Sequence, residues 1–321
     1  MLCCVITRNI IKFTALMNAF RAVMRPVNKI ETQFPLYEPN IINRLILDNQ
    51  NMSAFNQSAG LRDRHTQLHV DGRALNDDSK VSEGTLNITA MPQILEYARQ
   101  QVGSLGGTIS YKKSITLFEC QEMFHQKMGG PNPDPANKAY SMKPDGGIIF
   151  AHMPNGQTYP ILITEDKVQG TNDQRLAEGL ARQALGNAIE RAAKNVRGSE
   201  MLFAGMSVFP YLVFASGCDF DPSETIAKRI EMMNLGIPNH TIALNPNTTE
   251  TDITEKVDAI LPNINIENRF GSKIFSAFIK THKWNEMAHG SSRWTQAEIV
   301  KICCHVIDLV LPTIREPTVL L

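Results

Sequence analysis

Asp145, Glu165 and Lys167 are the residues of this chain best suited to carry chemistry. Asp145 stands in Lys143-Pro144-Asp145-Gly146-Gly147, and the other two stand in Thr164-Glu165-Asp166-Lys167. Two carboxylates and a lysine are the parts that phosphodiester hydrolysis requires. The acids offer oxygen ligands to a hard divalent cation, a water beside it becomes nucleophilic, and the lysine brings positive charge to the pentacovalent phosphate. The spacing alone arises by chance in many chains of this length, and a surface hairpin with solvated charges accounts for it equally well.

The intervening residues determine whether the three can meet. Ile148-Ile149-Phe150 and Tyr159-Pro160-Ile161-Leu162-Ile163 read as two strands joined by a hairpin turn at Asn155-Gly156. The acids then lie at the open end of that hairpin. Period-two alternation puts Ile161, Ile163, Glu165 and Lys167 on one face and Leu162, Thr164 and Asp166 on the other. A strict two-residue turn sets Asp145 opposite Asp166, so bringing it to Glu165 needs a longer loop or a bulge.

Around the hairpin, the pattern after Ser104 predicts a strand and helix to Lys127, a Pro/Gly/Asn loop from Gly129 to Asn137, and a helical stretch from Gln174 to Val196. A buried strand follows at Tyr211 to Ala215, then a mixed region to Asn268 and helices near Lys273 to Ile279 and Ala297 to Leu311. Helices alternating with apolar strands indicate an α/β fold. Within the long helical stretch, Gly186 ends one helix, and Asn187 with Glu190 has the form of a capping box that opens the next. A helix start is also what enters a major groove, where Asn bonds N7 and N6 of adenine, Glu accepts from an exocyclic amine, and Arg donates to purine or phosphate.

Gly186-Asn187-Ala188-Ile189-Glu190-Arg191, with Lys194-Asn195 behind it, resembles the DNA-reading segment of the EcoRI-type restriction endonucleases. Further segments agree in the same order: Lys143 to Gly147, Lys167 with Gln169-Gly170, Phe209-Pro210-Tyr211, Gly236-Ile237-Pro238 and Ser272-Lys273-Ile274. The resemblance runs from about Thr108 to Val310. It implies a PD-(D/E)XK nuclease: an α/β fold with a central mixed five-stranded sheet flanked by helices, acting as a homodimer on palindromic double-stranded DNA with magnesium and leaving 5'-phosphate ends.

By matching positions, Asp145 and Glu165 are the expected metal-binding acids and Lys167 the catalytic lysine. Asp166 departs from the small residue usual in the middle of that triplet, so it faces solvent, adds an acid to the metal site, or contributes its backbone carbonyl. Asn187, Ala188, Glu190 and Arg191 are the expected base readers of an inner AATT, and Lys194 and Asn195 match positions that approach the phosphate backbone. Arg182 and Gln183 differ from the family pattern where outer base contacts are expected. Arg229 matches an arginine near the DNA, but Ile226 replaces its partner. The outer base pair is therefore open.

A repair or junction nuclease of the same fold would share the acids and lysine without any reason to carry Gly186 to Arg191. A non-catalytic DNA-binding protein could keep the reading segment, but two acids and a lysine retained without a metal are costly. A type II restriction enzyme accounts for both features, and a methyltransferase acting on the same site would accompany it.

The chain has 321 residues, enough for one catalytic domain, taken as 101–321, and an amino-terminal extension, 1–100, whose stretch Asn49 to Asn87 is polar and reads as a linker or mobile arm. With 32 basic and 32 acidic residues it is neutral, which argues against a non-specific nucleic-acid coat and suits attraction concentrated in one cleft. No apolar run reaches the ~18 residues of a membrane span. The six cysteines form neither a zinc spacing nor a secreted disulfide framework, which points to a reducing cytoplasm. Cys303-Cys304-His305 lies among apolar residues at helical spacing and reads as core.

Overall fold

The computed structural model describes residues 77–169, 187–223, 225–268, 274–288 and 290–315. All lie in the second of two units into which the chain divides, Asn76–Leu321. Six strands form the central sheet: β1 (Thr108–Lys112), β4 (Ile148–His152), β5 (Thr158–Val168), β6 (Tyr211–Ser216), β7 (His240–Leu244) and β8 (Ser276–His282). Their order is β1-β4-β5-β6-β8-β7. The β1-β4-β5 side is antiparallel and the β5-β6-β8-β7 side parallel. A two-stranded ladder of β2 (Ile115–Thr116) and β3 (Ser141–Met142) lies apart.

The sheet thus has six strands rather than the expected five. One of them, β8, occupies a stretch that sequence pattern reads as helical. All seven of its residues are buried, including Lys280. A short run buried on both faces has no period-two signal to separate a strand from a buried helix. Lys280 tolerates this position because Nζ donates to both carboxylate oxygens of Glu298, at 2.8 and 2.9 Å, and to the Arg293 carbonyl. Phe214, Phe278 and Trp294 pack beside it, and Trp294 Nε1 donates to the Ala215 carbonyl.

The helices are α1 (Asp77–Gly84), a π-helical turn (Thr85–Ala90), α2 (Met91–Gly103), α3 (Leu117–Met128), α4 (Asn187–Ser199), α5 (Thr225–Met233), α6 (Glu250–Ile260) and α7 (Gln296–Arg315). Capping boxes start α3 (Thr116 with Glu119) and α6 (Thr249 with Asp252). Pro92 sits in the first turn of α2 and has no N–H to donate, which accounts for the change of helical pitch just before it.

Helix α7 buries Ile299, Ile302, Cys303, Val306, Ile307 and Val310. Cys303 is therefore a core residue. Residues 77–100, which sequence composition assigns to the extension, form helices that pack against α7 and β5. Tyr97 of α2 donates to the Asp308 carboxylate of α7. Among the described residues no helix is long and apolar enough to cross a membrane.

Candidate active site

The hairpin does not use a strict two-residue turn. His152 pairs with Thr158 across the loop Met153–Gln157, which is closed by a bond from Met153 N to the Gln157 carbonyl. A bulge then leaves Ile161 as the extra residue: Phe150 pairs with Pro160, but Ile149 pairs with Leu162 and Ile148 with Ile163. It lies beside Pro160, which has no N–H for the ladder. Loop and bulge offset one another, so continuing this register would still set Asp145 opposite Asp166.

A turn outside the ladder brings Asp145 to the other acid. Gly147 N donates to the Pro144 carbonyl at 3.0 Å and Gly146 N to the Thr164 carbonyl at 2.9 Å. Both glycines are required. A Cβ on Gly146 would lie 1.9 Å from Thr164 Oγ1, and Gly147 has φ +74° with Tyr111 and the Lys112 carbonyl where a Cβ would go.

The three residues that sequence pattern singles out meet at Lys167. Its Nζ forms an ion pair with Asp145, another with Glu165 Oε1 at 2.6 Å, and donates to the Asp166 carbonyl at 2.9 Å. Glu165 is 1% exposed and has several further donors. Tyr211 Oη reaches Oε2 at 3.1 Å, Asn195 Nδ2 reaches Oε1 and Oε2 at 3.0 and 3.1 Å, and the Asp145 N–H lies at 3.4 Å. The Asp145 side chain is 35% exposed and opens to a cleft of about 480 Å³, lined among others by Lys80, Asn87, Lys113 and Lys143.

Asp166 points to the opposite face, as alternation predicts, and accepts from Ser82 Oγ at 3.0 Å. It does not face solvent, being 8% exposed. Only its backbone faces the other two groups: its carbonyl accepts from Lys167 Nζ and its N–H donates to Asp145 Oδ2 at 3.3 Å.

Burial, reinforced by Asp145, raises the Glu165 carboxyl above its ordinary value although Lys167 and Asn195 pull it down. Burial pulls the Lys167 ammonium down, but Glu165 and Asp145 outweigh it and leave the group above its ordinary value. Lys167 is thus a cation at neutral pH. It can neutralise negative charge beside the two acids.

Asp166 is pushed up to about 7, by burial first and by Asp145 and Glu83, against the hydrogen bond from Ser82. The folded chain therefore holds a proton that the unfolded chain releases near pH ~4. This contribution to stability is complete below that value and is lost as pH rises through about 7. In metal-free buffer, the melting temperature of the wild type should fall between about pH 4 and 8 relative to Asp166→Asn, which lacks the titrating group. Parallel curves for the two proteins would remove Asp166 as the cause.

Asp145 and Glu165 offer only oxygen donors, Asp145 at the wall of an open cleft and Glu165 buried behind it. That suits a hard cation of the magnesium type, which one or two carboxylates commonly hold while water and phosphate oxygens complete its shell.

Sequence pattern missed the residues that hold the acids: Tyr211, Ser82, Asn87, and Asn195 in its contact with Glu165. Tyr211 comes to Glu165 through the sheet, where the parallel register pairs Ile163 with Tyr211 and Glu165 with Val213 on one face. Asn87 donates to the Asp145 carbonyl at 2.9 Å, and no local signal marks it. Asn195, expected near a phosphate, spends its amide on Glu165 and on the Lys143 carbonyl. Lys194 on α4 and Arg229 on α5 are exposed. Asn187, Ala188, Glu190 and Arg191 fall in the first turns of α4, with their side chains outside the described residues, as are Arg182 and Gln183 altogether.

A mixed sheet flanked by helices, with an acid on a turn beside β4 and an acid and lysine at the end of β5, is a restriction-endonuclease-like fold. The chain belongs to the restriction endonuclease EcoRI family, whose model matches residues 108–315. It is 35% identical over 169 residues to the type II restriction enzyme EcoRI of Escherichia coli, covering 46% of this chain and 60% of that enzyme. It is also 35% identical over 88 residues to the type II restriction enzyme RsrI of Cereibacter sphaeroides, covering 25% of this chain and 32% of the relative. The match thus spans less than two thirds of either relative.

Proposed function

We propose that this chain is a type II restriction endonuclease that hydrolyses double-stranded DNA with magnesium at a palindromic site centred on AATT, leaving 5'-phosphate ends. The observation that carries this reading is the meeting of Asp145, Glu165 and Lys167 in one ion-paired cluster, which opens to the cleft through Asp145, in a member of this family. Asp145 and Glu165 would hold the cation, which when bound supplies an acidified water and neutralises the scissile phosphate. Lys167, a cation paired with both acids, stabilises charge developing on the phosphate oxygens. Tyr211 and Asn195 fix the Glu165 carboxylate so that it need not reorganise during the reaction.

Base reading falls to Asn187, Ala188, Glu190 and Arg191 at the start of α4. Arg191 stands one helical turn before Asn195, whose amide holds Glu165, so a displacement of the reading helix reaches the acid through one hydrogen bond. Lys194 and Arg229 are exposed and available to phosphates, and Arg182 and Gln183 remain candidates for the outer pair. A palindrome calls for a homodimer with one active site per strand. The enzyme would work in the cytoplasm beside a methyltransferase that protects the same site.

Digestion of plasmid DNA with magnesium chloride should yield discrete fragments, and sequencing of their ends should return AATT in each. Intact plasmid, or ends without a common sequence, would refute the reading.

A further inference from the structure

We propose that the helical segment 77–90 is a positioning element of the active centre, in which Ser82 holds the end of strand β5 and Asn87 holds the turn that carries Asp145. This inference rests on the nuclease reading above. The segment lies outside the 108–315 stretch that defines the family, so the family relationship assigns it no role.

Three contacts converge from it. Ser82 Oγ donates to Asp166 Oδ1 at 3.0 Å, with Ser82 2% and Asp166 8% exposed. Asn87 Nδ2 donates to the Asp145 carbonyl at 2.9 Å. Leu86, 1% exposed, packs against Gly146, where its Cδ2 is 2.9 Å from the place a Cβ would occupy. The same segment supplies one wall of the cleft through Lys80, Glu83, Gly84, Asn87 and Ile88, facing Lys143, Pro144 and Asp145.

Ser82 is needed because this chain carries an acid where the family triplet has a small residue. A buried carboxylate without a donor is costly, and this one is bonded through the backbone to both Glu165 and Lys167. Relief of that cost by movement of the end of β5 would displace both catalytic groups. Asn87 acts separately, on the Pro144–Gly147 turn, by tying down the peptide of Asp145. Neither residue is required to touch substrate.

The test uses the full chain, supercoiled plasmid and magnesium chloride for single-turnover cleavage, calcium chloride for DNA binding without cutting, and a melting curve for each variant. Ser82→Ala should slow cleavage about ten- to a hundredfold, the scale of one buried group left unpaired, with DNA affinity in calcium within about twofold. Ser82→Ala/Asp166→Ala should recover to within about threefold of Asp166→Ala alone, because the second change removes the carboxylate that Ser82 serves. Asn87→Ala, at a half-buried site that tolerates truncation, should slow cleavage on a similar scale and raise the magnesium concentration needed for half-maximal rate.

Wild-type rates in both Ser82→Ala and Asn87→Ala would overturn the inference while leaving the nuclease reading intact. A double variant that simply adds the two losses, with a matching fall in melting temperature and DNA affinity, would also overturn it by making Ser82 a structural residue. A wild type that does not cut plasmid would overturn the nuclease reading and this inference with it.

Discussion

Asp145→Asn and Glu165→Gln should each abolish plasmid cleavage while leaving a folded chain that binds DNA in calcium. Both changes keep shape and remove a negative oxygen from the acid pair, so the capacity to hold a hard cation is what they test. Asp145→Asn is the cleaner of the two, because its side chain is partly exposed and its amide has room to turn. Glu165→Gln brings an NH2 group into a ring of donors made by Tyr211, Asn195, Lys167 and the Asp145 N–H. It should therefore lower the melting temperature as well as the rate. Lys167→Ala should lose roughly two to four orders of magnitude in rate, as expected for a group that stabilises charge in the transition state. Full cleavage by either acid variant would end the assignment of the metal pair, and an unfolded Lys167→Ala would make the lysine structural.

Glu190→Gln and Asn187→Ser should remain thermally stable and yet lose cleavage at AATT-centred sites. Both retain some ability to cap a helix, and loss of a cap costs only about 1 kcal/mol, seen as a lower melting temperature. A lost base contact costs about 1–3 kcal/mol per pair in discrimination and is amplified when assembly of the cutting complex depends on it. The hydrogen bond from Asn195 to Glu165 is a route for that amplification, since it joins α4 directly to the carboxylate proposed to hold the cation. Cleavage of a randomised six-base library, read beside a melting curve for each variant, separates the two effects. Stable variants that cut at the normal rate and site would defeat the assignment of this segment as the reader.

Much of the site follows from local sequence. Alternation along β5 by itself puts Glu165 and Lys167 on one face and Asp166 on the other, because successive side chains of a strand must point to opposite sides. Gly146-Gly147 marks a backbone that no Cβ can enter, and the apolar run of β6 marks a strand buried on both faces. What sequence pattern could not decide depends on partners distant along the chain. Asp145 reaches Lys167 through a turn outside the ladder, so hairpin register did not determine the pairing. The strand β8 has a helical sequence pattern because its period-two signal disappears when both faces are covered, and Lys280 is buried there with Glu298 of α7 as its partner. Tyr211, Asn195, Ser82 and Asn87 have no local signature for their work on the acids. Each is an ordinary polar residue until tertiary structure brings its hydrogen-bonding group to a carboxylate or carbonyl dozens of residues away, and the composition of a segment does not encode that long-range proximity.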